Sequence, residues 1–262
     1  MPKFSANLSF LYPDLPFVER FAAAAADGFG AVEYVSPYEE PKERIATLLA
    51  QHNLKQALFN FPAGKWDAGE RGIACHPTRV GEFRAGVTMA LDYAQALGCT
   101  QLNCLAGIAP HDVDHLRLEK TLLDNLAYAS ERCTAVGIKL LLEPINLRDM
   151  PGYFVSTTNH FERLLALAGL SNLHLQYDFY HMQVMQGDLM HTFGRLKDHI
   201  AHVQIADAPG RHEPGTGEIN YRYVLSELER LGYGGYVGCE YRPSGNKGAA
   251  IEWMAGLRPD RR

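Results

Sequence analysis

The chain has 262 residues, of which 47% are hydrophobic and 21% charged, and it carries a formal net charge of −5. That balance excludes a disordered or fibrous chain, and its acidic sign offers no general attraction for nucleic acid or an anionic membrane. The length suits one or two ordinary domains, or a single α/β barrel of about 250 residues.

In chain order, short β-branched or apolar runs alternate with longer helical patterns. A strand is expected over residues 3–10 and a helix over 16–27, with Phe17, Phe21 and the alanines of 22–26 on its apolar side and Gly28 as its stop. A second strand over 31–35 precedes a helix over 41–52, where Pro41 fills a first helical position that needs no N–H. The third strand, 55–60, is followed by a long polar connection, 61–77, and a helix over 78–97 that ends at Gly98. Strand four is expected at 101–105 with its helix at 113–136, and strand five at 138–143 with its helix at 158–168. Strand six spans 173–178 with a helix at 188–198, strand seven 201–205 with a helix at 221–231, and strand eight 236–240 with a last helix at 247–255.

Strict alternation of eight strands with eight helices argues for a parallel sheet. Eight such units in a chain of this length argue for a closed (β/α)8 TIM barrel, a single domain over 1–262. An open doubly wound sheet is the weaker alternative, because neither G-x-G-x-x-G nor a Walker A loop occurs. The five cysteines are odd in number and form no C-x-x-C, so they read as reduced, mostly buried thiols of a cytoplasmic protein. No run of 18 apolar residues exists, and the N-terminal apolar stretch is too short and interrupted for a signal peptide, so no membrane association is expected.

Active sites of such barrels lie at the C-terminal ends of the strands. Strand five ends in Leu-Leu-Leu-Glu143-Pro-Ile-Asn146, and strand six in Leu-Gln-Tyr-Asp178-Phe-Tyr-His181. Strand seven carries His202-Val-Gln204-Ile-Ala-Asp207, and strand eight ends in Val-Gly-Cys-Glu240-Tyr-Arg242. Neighbouring strands lie about 4.8 Å apart, so oxygen-bearing side chains on consecutive strands can converge on one ion. Three carboxylates left together would raise one another's pKa, a conflict that a divalent cation removes. Two Glu, one Asp and one amide favour a hard ion, Mg2+ or Mn2+. A solvated or helix-capping role accounts for any one of these residues alone; four on consecutive strands speak against it.

Other candidates carry less. His111 and His115 have metal-like spacing but sit in a polar stretch where solvated or capping roles fit. His202 faces the same side of its strand as Gln204 and reads as a satisfied interior histidine one layer lower, while His199 brackets the strand's other end. Glu33, in the middle of strand two, is open to a functional or a buried structural reading, and Trp66 and Tyr93 read as packing. No Ser-His-Asp or Cys-His arrangement appears in order and context. Long structureless loops in compact domains are usually functional. The 61–77 connection follows strand three and can arch over the strand ends. Its Lys65 and Arg71 are candidates for an anionic substrate, since Arg suits a carboxylate bidentately; a solvated loop is the alternative.

These residues resemble the hydroxypyruvate isomerase family, within the xylose isomerase-like barrels that also include ketose epimerases. The resemblance spans essentially the whole chain. It is carried by Lys-Trp-Asp-Ala-Gly-Glu-Arg-Gly at 65–72, Leu-Leu-Glu-Pro-Ile-Asn at 141–146, Tyr-Asp-Phe-Tyr-His at 177–181 and Gly-Arg-His-Glu-Pro-Gly-Thr-Gly-Glu-Ile at 210–219. It implies that Glu143 and Glu240 act as acid and base, that Glu143, Asp178, Gln204 and Glu240 bind the metal, and that His181 and Arg211 contact substrate. Gln204 stands where related epimerases have His, which points to the isomerase branch and disfavours zinc. The implied reaction moves a proton between adjacent carbons of a small sugar acid, taking hydroxypyruvate to 2-hydroxy-3-oxopropanoate through an enediolate. The other readings are a four-carbon 2-oxo-tetronate isomerase, a ketose 3-epimerase, an inosose-type dehydratase and a non-catalytic sugar-acid-binding barrel. A barrel DNA-repair nuclease fits poorly with the acidic balance and with Gln204. The partner is a small-molecule sugar acid, and association into a homo-oligomer through the helices stays open.

Overall fold

Eight strands alternate with helices in the computed structural model, which describes residues 2–245, 248, 249 and 251–257. In chain order they are β1 (Lys3–Asn7), α1 (Arg20–Ala26), β2 (Ala31–Tyr34), α2 (Lys42–Gln51), β3 (Lys55–Asn60), α3 (Val80–Leu97), β4 (Gln101–Cys104) and α4 (His115–Thr134). There follow β5 (Lys139–Leu142), α5 (Thr158–Ala168), β6 (Leu173–Asp178), α6 (Phe179–Met185), α7 (Leu189–Leu196), β7 (Ile200–Ile205), α8 (Tyr221–Arg230) and β8 (Tyr236–Cys239). Every strand is parallel to its neighbours, and β8 pairs with β1, so the sheet closes into a barrel in chain order.

The strands read as they do because both of their faces are covered. Leu140, Leu141 and Leu142 of β5 are all fully buried, facing the barrel interior and the helix layer in turn. Outside, α4 lays Leu118, Leu122, Leu126, Ala129 and Cys133 onto the sheet, a helical apolar stripe. Asp114 starts that helix by accepting the Leu116 N–H at 2.9 Å. Gly98 ends α3 in the left-handed region, at φ +63°. The barrel interior carries buried polar and charged side chains. Glu33 of β2 meets His202 of β7 across it at 2.9 Å, and Gln101 of β4 reaches the same histidine at 3.1 Å.

Several boundaries differ from the sequence pattern. β1 stops at Asn7, not at residue 10, because the Asn7 side-chain oxygen and backbone carbonyl take the Ser9, Phe10 and Leu11 N–H groups and turn the chain. The sequence shows no helix directly after strand six, yet α6 begins at Phe179: Asp178 ends the strand and caps the helix at once, accepting the Tyr180 N–H at 2.8 Å. The 61–77 connection is not structureless. It contains 3-10 turns at Trp66–Ala68 and Pro77–Arg79, and Glu70 ties it together by accepting from Lys65 N and Arg79. Gly72 bridges this segment to Ala106, and a Cβ there would lie 2.3 Å from the Leu105 carbonyl oxygen, so only glycine fits. The helix expected at 247–255 is instead a 3-10 turn at Glu252–Leu257 among the described residues; Lys247 and Ala250 lie outside them. All five cysteines are buried and free. Among the described residues no helix is long and apolar enough to cross a membrane.

Candidate active site

The C-terminal mouth of the barrel holds a cavity enclosing about 510 Å3 of empty space, its opening included. Its wall contains Asn7 of β1, Asn60 of β3, Glu143 just past β5, Gln176 of β6, His181 of α6, Gln204 of β7 and Glu240 just past β8, together with Arg71 and Arg211 from loops. The barrel geometry therefore does bring the residues singled out on strands five to eight to one place.

Glu143, Asp178 and His181 present ligand atoms within 4.8 Å of one another, and all three are buried. Burial, and then the neighbouring Glu240 and Asp178 charges, push the Glu143 carboxyl well above the usual carboxylate range. Burial also raises Asp178 and Glu240, although the Arg211 guanidinium pulls both the other way. Three buried acids thus stand close together with more negative charge than Arg211 alone offsets. Burial and then Arg211 drive the His181 imidazole well below its ordinary pKa, which favours the neutral ring. His181 Nδ1 lies 2.7 Å from Asn146 Nδ2, and the Asn146 amide is oriented by accepting the Asp149 N–H at 2.8 Å. On that hydrogen-bond pattern Nδ1 accepts and Nε2 carries the proton, facing Asp178 at 3.5 Å.

Glu240 is held on both oxygens. Oε1 accepts from Arg211 at 2.6 Å, and Oε2 accepts from Asn7 at 2.9 Å and from Gln204 at 2.5 Å. The Gln204 oxygen faces Gln176 Nε2 at 2.7 Å. Asp178 spends Oδ1 on the helix cap, while its buried Oδ2 accepts no hydrogen bond and has only the longer contacts of His181 Nε2 at 3.5 Å and Arg211 at 3.9 Å. A buried carboxylate oxygen without a hydrogen bond amid clustered acids fits a cation ligand, and the oxygen donors of Glu143, Asp178, Glu240 and Gln204 fit a hard one. In that tautomer His181 Nε2 is a donor facing Asp178, with Arg211 Nη2 3.4 Å away on its other side.

Arg211 sits in a loop organised by Asp207, a buried residue that the sequence pattern does not single out. Asp207 accepts the backbone N–H groups of Ala208, Gly215, Gly217 and Ile219 at 2.8–3.0 Å. The guanidinium of Arg211 lies between the Phe10 and Tyr180 rings, 4.8 and 5.2 Å from their centroids. The two candidates of the 61–77 connection separate. Arg71 lines the cavity, 4.0 Å above the Trp66 ring, whereas Lys65 lines an outer cleft beyond Trp66. Trp66 is thus a cavity wall and not interior packing, and 38% of its surface is exposed. Sequence reasoning also passed over Asn7, Asn60 and Asn103. Asn103 donates to Glu143 Oε2 at 3.0 Å and to Asn60 Oδ1 at 3.1 Å. The signal was present, since each is a polar residue in the last two positions of its strand.

Comparison with known proteins agrees with this architecture. The family model described as a xylose isomerase-like TIM barrel matches residues 21–257. The chain is 46% identical over 254 residues to a hydroxypyruvate isomerase of Escherichia coli (strain K12), covering 97% of this chain and 98% of that one. It is 44% identical over 254 residues, with the same coverage, to a 2-oxo-tetronate isomerase of Cupriavidus necator. A crystal structure described as AP endonuclease, family 2, from Brucella melitensis superposes with a TM-score of 0.95 at 45% identity, covering 99% of this chain and 100% of that one. The chain therefore belongs to the xylose isomerase-like TIM barrel family, among its hydroxypyruvate isomerase-like enzymes.

Proposed function

We propose that this protein is a metal-dependent aldose–ketose isomerase of small 2-oxo sugar acids, interconverting hydroxypyruvate and 2-hydroxy-3-oxopropanoate. The observation that carries the reading is a pair of glutamates, Glu143 and Glu240, buried in one cavity and both biased toward their protonated forms. Moving a proton between adjacent carbons needs one group to take it and another to give it back, and each such group contributes about 10²–10⁴-fold.

Arg211 and two amides hold Glu240, which favours its ionised form relative to Glu143. Glu240 accordingly takes the proton from the hydroxymethyl carbon, leaving an enediolate; Glu143 delivers a proton to the former carbonyl carbon, and the hydroxyl proton of the first carbon passes to the former carbonyl oxygen, which leaves the aldehyde. Asn103 keeps the Glu143 carboxyl in place. Arg71, at the cavity wall over Trp66, supplies the cation for the substrate carboxylate. His181 and Arg211 face the reacting oxygens from the other side, and Lys65 lies farther out, toward the mouth. A divalent ion, Mg2+ or Mn2+, held by Glu143, Asp178, Gln204 and Glu240, would supply Lewis-acid stabilisation of the charge that develops on those oxygens.

A four-carbon 2-oxo acid is the second reading. It is favoured by the room beyond the acids: the cavity and the outer cleft share Phe10, Val35 and Trp66 as walls, so a longer chain has somewhere to go. Proton exchange in D₂O, followed by NMR with Mg2+ or Mn2+ and an EDTA control, tests both. Ion-dependent exchange on hydroxypyruvate, with the aldehyde product appearing, is the expected result. Exchange on the four-carbon acid alone keeps the mechanism and moves the substrate. Exchange on neither, with the ion bound, overturns the isomerase reading in favour of epimerase or binding roles. Glu143→Gln and Glu240→Gln should each lower the rate by at least about 10²-fold.

A further inference from the structure

Glu33 lies a layer below the proposed chemistry and takes no part in it, yet it is fully buried and unusually well served with donors. Its Oε1 accepts from Gln204 Nε2 at 2.8 Å and from Asn7 Nδ2 at 3.2 Å. Its Oε2 accepts from Ser5 Oγ at 2.6 Å and faces His202 Nε2 at 2.9 Å. The same two amide nitrogens also donate to Glu240 Oε2. Two amides thus bridge two carboxylates, one at the mouth and one beneath it. The fold makes room for this: a Cβ at Gly238 of β8 would lie 2.3 Å from Glu33 Oε1.

We propose that Glu33 is a positioning residue that fixes the Gln204 amide, so that its oxygen is turned away from Glu33 toward Gln176 in the cavity wall, free of any donor from below. A carboxylate only accepts, so the Gln204 nitrogen must face Glu33 and Glu240 and spend both hydrogens there. The amide oxygen is then forced to the opposite side, where Gln176 Nε2 meets it. Asn7 is locked by the same logic, its oxygen turned to the Ser9 N–H at 3.1 Å. Without the charge at position 33 either amide can rotate by half a turn and present a nitrogen where the site needs an oxygen. An apolar side chain of similar volume would fill the interior with no buried charge to satisfy, so packing alone does not call for a glutamate there.

The proposal rests on Gln204 being an ion ligand, and its test separates the two. Mn2+ is titrated calorimetrically into the wild type, Glu33→Gln and Glu33→Asp, and each is melted without the ion. Groups that orient ligands typically govern about 10–100-fold in metal affinity. The expected result is Mn2+ affinity lowered by that factor in Glu33→Gln while the variant stays folded. Glu33→Asp, which keeps the charge but draws it back by one carbon, carries the same expectation and serves if Glu33→Gln does not fold. A lower melting temperature with wild-type Mn2+ affinity is what a purely structural carboxylate would give, and it overturns the proposal. A wild type that binds no Mn2+ overturns the ion-site reading itself, and this inference with it.

Discussion

Three clustered, buried carboxyls give the ion-free protein a pH response of definite sign. Burial first, and then the Asp178 and Glu33 charges, raise Glu240 from the ordinary carboxylate range to about 8 against the pull of Arg211. Below about pH 4.5 the group is protonated in folded and unfolded chains alike, and it costs nothing. As the pH climbs toward 8 the unfolded chain releases its proton while the folded one retains it, so the unfolded state gains. Glu240→Gln removes that liability. Melted in EDTA, the variant should therefore gain stability relative to the wild type as the pH rises from about 5 to 8; a constant difference would argue against the shift. The residue scale is also where the sequence was half legible. Carboxylates at strand ends stand out because a charge ending an apolar run needs a reason. Asn7, Asn60 and Asn103 obey the same positional rule but are neutral, and a neutral amide at a strand end looks like ordinary punctuation. Glu33 was visible as an anomaly, but its partners come from β1 and β7, distant in sequence.

At the scale of elements, the loop from Asp207 to Ile219 is built around a single carboxylate that collects four N–H groups. A Cβ at Gly217 would lie 1.9 Å from the Ala208 carbonyl oxygen, so the chain folds back on itself as tightly as glycine allows. Arg211 rides on this loop at φ +56°, a conformation held by the surroundings. Asp207→Asn would replace one accepting oxygen by a donor that faces N–H groups, and Arg211 would lose its fixed place. Steady-state kinetics should show KM for the proposed substrate, hydroxypyruvate, raised about tenfold or more, with Mn2+ affinity changed less, because among the four proposed ion ligands only Glu240 is hydrogen-bonded to Arg211. Equal losses in both would mean that the loop supports the whole mouth. The motif at 210–219 was readable as a family resemblance, whereas its architecture was not, because four backbone N–H groups leave no mark in composition. α6 escaped for a related reason: Asp178 serves as strand end, helix cap and candidate ligand, and the pattern shows one role at a time.

For the whole molecule, the alternation of apolar runs with amphipathic ones was enough to find a closed barrel, since each strand is buried on both faces and each helix on one. The last unit was the exception: Glu252–Leu257 packs Trp253 against Phe4 and Tyr241 in a 3-10 turn where an α-helix was expected. Completeness of burial has a practical side in the thiols. Burial alone raises Cys133 to about 12, and it is the largest cause of the shifts at Cys75 and Cys99, also to about 12, and of the rise at Cys104 and Cys239. Thiolate is the reactive form, so an alkylating reagent at neutral pH should find no site on the native protein and five on the denatured one. Mass increments after timed exposure would then record how many molecules have opened and how often, which makes the native cysteines an internal clock for unfolding.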